Sequence, residues 1–153
     1  MPPLTAYRRL GVVGDDDIVI IRRAWRTSQR IPIGAIIAVT NYPSIIWRTR
    51  SGRLRRARTR SLYKKNPRPS SNRYWPDRDW ARVDEWIYAQ VSALHRHTRL
   101  HADQIDIAQL AEHLAAARKA LAWTDSHPWA SGPYSALWTL HVRGLEGLLD
   151  LRR

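Results

Sequence analysis

The sequence predicts an α+β chain, a small antiparallel β module followed by a three-helix unit. Three observations carry this expectation. Runs of β-branched residues of strand length, separated by proline, glycine and serine turns, occupy the first half. Apolar residues at spacings of three and four occupy the second. Charge divides at the same place: residues 1–73 hold 17 basic and 3 acidic side chains, residues 74–153 hold 9 and 10. The boundaries read as a basic β module at 1–66, a Pro/Ser-rich linker at 67–76 and a helical unit at 77–153. An all-helical chain with a disordered basic arm is the competing fold.

Residues 1–14, MPPLTAYRRLGVVG, read as an irregular lead-in. Asp15, Asp16 and Asp17 then precede Ile18, Val19, Ile20 and Ile21, a β-branched run that reads as strand, although Ile18, Ile21 and Trp25 also fall at helical spacing. After Ile31-Pro32-Ile33-Gly34, the run from Ala35 to Thr40 gives a second strand that stops at Asn41-Tyr42-Pro43. Ser44 to Arg50 gives the third, and Arg53 to Thr59 runs back from a Ser51-Gly52 turn as the fourth. Four short strands with one long turn between the first two resemble in pattern the small SH3-like barrels, over Gly14 to Leu62. That likeness rests on no diagnostic motif.

The dominant stretch is Trp47 to Arg73, which carries eleven Arg and Lys and no acid. A two-residue Ser51-Gly52 loop sets Arg50 opposite Arg53 and Arg48 opposite Arg55, four like charges on one face that call for an anion. Arginine suits phosphate because its planar fork donates two parallel hydrogen bonds and keeps its charge. Arg48, Arg50, Arg53, Arg55, Arg56, Arg58 and Arg60 are therefore the candidate nucleic-acid-binding residues, extended by Lys64, Lys65 and Arg68. Contacts of this kind supply affinity and salt dependence and carry no base sequence information directly. The bland alternative is a solvated basic arm.

The first helix is expected from Asp77 or Asp79 to about Arg99, with Trp80, Val83, Ile87, Val91 and Leu94 facing a core. A second runs from Asp103 or Asp106 to about Trp123 on Ile107, Leu110, Ala111, Leu114, Arg118 and Leu121, and Asp106 with Gln109 makes a capping-box pattern. A third follows Ser131-Gly132-Pro133, with Leu137, Leu140, Gly144, Leu148 and Leu151 on one stripe and Trp138, Leu145 and Leu149 on another. Ile107 to Leu121 looks like the first part of a helix-turn-helix. Ala115, however, stands where the turn glycine belongs, which favours one unbroken helix.

Several chemistries find no support. The chain has no cysteine, which excludes disulfides, thiolate metal sites and cysteine nucleophiles. Its longest uncharged run, Ile31 to Trp47, is interrupted by Pro32, Gly34, Asn41 and Pro43, so no membrane span is expected. Neither a phosphate-binding glycine loop nor a nucleophile elbow is present. His97 and His101 share a helix face at metal-ligand spacing, and Asp15, Asp16 and Asp17 are the other metal candidates, but end-of-helix and turn roles account for both sets. The expectation is a cytoplasmic, non-catalytic nucleic-acid-binding protein without cofactor. The alternatives are a structural or interaction subunit of a larger phage or mobile-element assembly, joined by a protein partner or a second copy through the helical half, and a small metal-dependent nuclease or ribonuclease toxin.

Overall fold

The alternation of β-branched runs and turns in the first half produces three antiparallel sheets, and the helical periodicity of the second produces helices. The computed structural model describes residues 4–5, 11–15, 18–22, 29–40, 44–58, 63–65, 74–76 and 78–153, with side-chain surroundings for Val19, 29–40, 44–58 and 81–153. The fold is α+β. Its contacts group into two units, Met1–Ala89 and Gln90–Arg153, and the dividing line falls inside the first long helix.

The first sheet is a four-stranded meander of β1 (Leu4–Thr5), β2 (Gly11–Asp15), β3 (Ile18–Arg22) and β4 (Gln29–Pro32), in that spatial order. The lead-in expected at residues 1–14 is thus partly strand. In the register Val12 and Val13 lie opposite Ile21 and Ile20, between Gly11 and Gly14. The strand expected at Ile18 forms as read. Pro32, which lacks a backbone donor, is accommodated because β4 is an edge strand of the sheet.

A 3-10 turn, Ile33–Ala35, leads into the second sheet, β5 (Ile36–Thr40), β6 (Ser44–Arg48) and β7 (Leu54–Arg58), ordered β5-β6-β7. All five residues of β5 are buried, as are Ser44, Ile45 and Ile46 of β6, so both faces of this sheet are covered there. At the β5–β6 end the Thr40 and Ser44 hydroxyls bond at 2.5 Å, satisfying two buried polar side chains. The four strands that carry the SH3-like resemblance are divided between these two sheets. A third ribbon pairs β8 (Tyr63–Lys65) with β9 (Tyr74–Pro76), so the last residues of the segment read as a linker are strand.

The helices are α1 (Arg78–Leu100), α2 (Ile107–Ser126), the short α3 (Pro128–Ser131) and α4 (Tyr134–Leu151). Val83, Ile87 and Val91 of α1 are buried as expected, but the next buried position is His95 rather than Leu94. The stripe follows the i+4 row, which 3.6 residues per turn allows and hydrophobicity alone hides. In α2 the buried face runs through Leu110, Leu114, Ala117, Ala120 and Thr124, whereas Ile107, Ala111 and Arg118 are exposed. Small alanines at this face suit close packing of α2 on α4. Asp106 caps α2, its side chain accepting from the Gln109 amide at 2.8 Å, and the helix passes through Ala115 unbroken.

Pro128 opens α3, where the missing amide costs nothing. Gly132, at φ +47, ends α3 in a backbone region open to glycine. On α4 the stripe of Trp138, Leu145 and Leu149 is buried, together with Tyr134, Leu137, His141 and Val142. Leu140 and Leu151 of the other predicted stripe are 59% and 85% exposed.

Candidate nucleic-acid interface

The β6–β7 hairpin turns on three residues, Arg50, Ser51 and Gly52, not on the two expected. The Thr49 amide donates to the Arg53 carbonyl and the Gly52 amide to the Thr49 carbonyl, both at 2.9 Å. Gly52 sits at φ +84, the left-handed position that closes a three-residue hairpin loop with a bulge. The Thr49 and Ser51 hydroxyls bond at 2.8 Å across the same turn.

That single extra loop residue shifts the register by one. Arg48 lies opposite Leu54, Trp47 opposite Arg55, Ile46 opposite Arg56, Ile45 opposite Ala57 and Ser44 opposite Arg58. The expected facing pairs, Arg50 with Arg53 and Arg48 with Arg55, do not form. A shift of one residue moves side chains to the opposite face of a strand. Arg55 therefore shares a face with Trp47, Ile45 and Ala57, while Arg56 and Arg58 share the other with Arg48, Ile46 and Leu54. Each cross-strand arginine on β7 meets an apolar or hydroxyl partner, which removes the like-charge cost that the two-residue loop would impose.

Among the described strands β7 is the edge of its sheet, so its arginines form a fringe around that edge. Arg50, Arg53, Arg55, Arg56 and Arg58 are exposed and Arg48 is half-buried. None of the six guanidinium groups has a carboxylate or other hydrogen-bond partner among the described residues. Lys64 and Lys65 lie on β8 opposite Trp75 and Tyr74. Arg60 and Arg68 lie outside the described residues, as do Asp16, Asp17 and the cap candidate Asp77.

The helical unit holds a second polar constellation, which spacing along the sequence does not reveal. An Arg99 Nη donates to His141 Nδ1 at 3.0 Å, which puts the His141 proton on Nε2. His141 stacks on His95 with ring centroids 3.9 Å apart and planes 6° apart, and His95 also meets Trp138 at 4.4 Å. Burial pushes His95 down to about 3, helped by the neighbouring His141 and Arg99. Burial likewise lowers His141 to about 4, with Arg99 and His113 adding to it. Both rings are neutral at pH 7. The signal available in the sequence was His95 on the i+4 row of Val83, Ile87 and Val91, with Gly144 one turn beyond Leu140 on α4.

His97 and His101 do share a face, with ring centroids 4.3 Å apart, and both are exposed. Among the described residues, no group of three or more His, Asp or Glu is placed to hold a metal ion, and no helix is long and apolar enough to cross a membrane. Comparison with known protein families, with characterised proteins and with solved structures finds no match for this chain.

Proposed function

We propose that this chain is a non-catalytic nucleic-acid-binding protein that grips backbone phosphates through the arginine fringe of the β6–β7 hairpin. The observation that carries the reading is the absence of any acidic partner, among the described residues, for six arginines gathered on eleven residues of hairpin. Arginines kept for internal pairing would have carboxylates beside them, and residues 47–73 contain none. A fringe with cations on both sides of one edge can follow a phosphate backbone, where a flat one-sided face would meet it along a single line. Arg60, Lys64, Lys65 and Arg68 extend the candidate surface in sequence.

Salt supplies the test. The logarithm of the affinity for duplex DNA should fall linearly with the logarithm of salt concentration. Changing Arg53, Arg55, Arg56 and Arg58 together to Ser should flatten that slope by about 3 to 4, since each phosphate contact contributes about 0.9. Parallel titrations with single-stranded DNA and structured RNA identify the preferred polymer. Equal binding by the intact and the substituted chains would remove the proposal.

A second reading, a protein partner or second copy bound through the helical half, draws on Trp129 and Leu140, which are 71% and 59% exposed. A strictly monomeric chain over a wide concentration range would count against self-association as its form.

A further inference from the structure

We propose that Arg99 and Arg96, on the last turns of α1, form a second anion site, built for a phosphate monoester and separate from the hairpin. The first support is preorganisation. A Cβ at position 144 would collide with Arg99 Cδ, so the arginine stem lies in a notch on α4 that only glycine leaves open. One guanidinium nitrogen is then tied to His141 Nδ1, and His141 is braced by its stacking on the buried His95. A long, flexible side chain is thereby held in one place, which lowers the ordering cost of binding.

The second support is what the guanidinium lacks. Its hydrogen-bond partner is a neutral imidazole, and no carboxylate pairs with it among the described residues. The charge that acts on Arg99 is that of another cation, Arg96, one turn back on the same helix. Arg96 follows the i, i+3 spacing that makes two side chains neighbours on a helix, and like charges there repel. Glu146, the nearest acid to Gly144 along α4, is taken by Arg118 of α2 at 2.9 Å. An arginine fixed against a neutral partner, with a second arginine beside it, leaves most of its donors for an oxyanion. Two guanidinium groups match the double charge of a phosphate monoester better than the single charge of a carboxylate.

This site shares no residue with the hairpin site. The test therefore uses the 153-residue chain with Arg53, Arg55, Arg56 and Arg58 changed to Ser, which removes hairpin binding while keeping the helical unit. Calorimetric titration with inorganic phosphate, against chloride at matched ionic strength, should show saturable binding. Arg99→Gln should weaken it about tenfold or more, the scale of a lost charge-assisted hydrogen bond. Gly144→Ala keeps the arginine but fills its notch, and should weaken phosphate binding without lowering the thermal midpoint, since alanine favours the helix.

A 5′-phosphorylated oligonucleotide that binds more tightly than its 5′-hydroxyl counterpart assigns the phosphate to nucleic acid, and equal binding by the two assigns it to a free phosphate compound. Phosphate binding unchanged by both Arg99→Gln and Gly144→Ala would overturn the site. So would tighter capture of an acidic, unphosphorylated peptide than of phosphate.

Discussion

His95 shows how a single residue can carry a pH response that its sequence neighbours do not announce. It is 6% exposed and its Nδ1 has no hydrogen-bond partner among the described residues. In the unfolded chain it titrates near the ordinary histidine value of about 6.5, and in the folded chain near about 3. The neutral ring is therefore common to both states above pH 6.5. Below that pH the unfolded chain takes up protons that the folded chain refuses, so stability falls from about pH 6.5 toward pH 3. His141 acts in the same direction down to about 4. His95→Leu removes both an unpartnered buried nitrogen and one of these groups. The variant should equal or exceed the parent by about 1 kcal/mol at pH 7, and its midpoint of urea unfolding should fall less between pH 7 and pH 4.5. An unchanged pH profile would show that His95 is not among the responsible groups.

At the scale of elements, loop length decided what the sequence left ambiguous. Ser51-Gly52 satisfies a two-residue turn as well as it satisfies the end of a three-residue one, and the two differ only in whether Arg50 belongs to the strand or to the loop. Backbone hydrogen bonds from Thr49 and Gly52 settle the second geometry, and every arginine on β7 changes face with it. Gly52→Ala meets no atom within 4 Å, so any loss comes from backbone strain alone at φ +84. About 1 kcal/mol of destabilisation is expected, measurable by chemical unfolding. Asp106→Ala should cost about the same through loss of the α2 cap. Strands and helices with plain periodicity, β3, β5 and α2 among them, were legible beforehand. β2 was not, because its two glycines hid the valine pair between them. Nor was the role of Gly144, which periodicity could only place on an apolar stripe and which in fact makes room for Arg99.

On the scale of the whole chain, a net charge of +13 would ordinarily suggest a uniformly basic surface. Counting residues by position puts the excess in the first 73, and the described structure puts six of those cations on one hairpin. The second half is electrically balanced yet still holds a local cationic pair at Arg96 and Arg99, which a net count conceals because acids elsewhere cancel it. Net charge thus finds the hairpin and misses the helical cluster, since the latter depends on which partners are absent at close range. The sequence could reveal the number of charges on each segment, and only the packing of α1 on α4 could reveal which of them stay unpaired.

The edge position of β7 gives its arginines another consequence. An uncovered sheet edge offers backbone donors and acceptors to any passing strand, and a row of like charges along it makes two such edges repel. The cations that would attract a polyanion would therefore also make two such edges repel. A bound polyanion cancels the repulsion while it is bound, so solubility should depend on the ratio of the two partners. Light scattering should pass through a maximum near charge balance and fall again when either component is in excess. The chain with Arg53, Arg55, Arg56 and Arg58 changed to Ser should instead scatter more strongly on its own as its concentration rises. A substituted chain as soluble as the parent, with no scattering maximum in the mixture, would show that the edge needs no such guard.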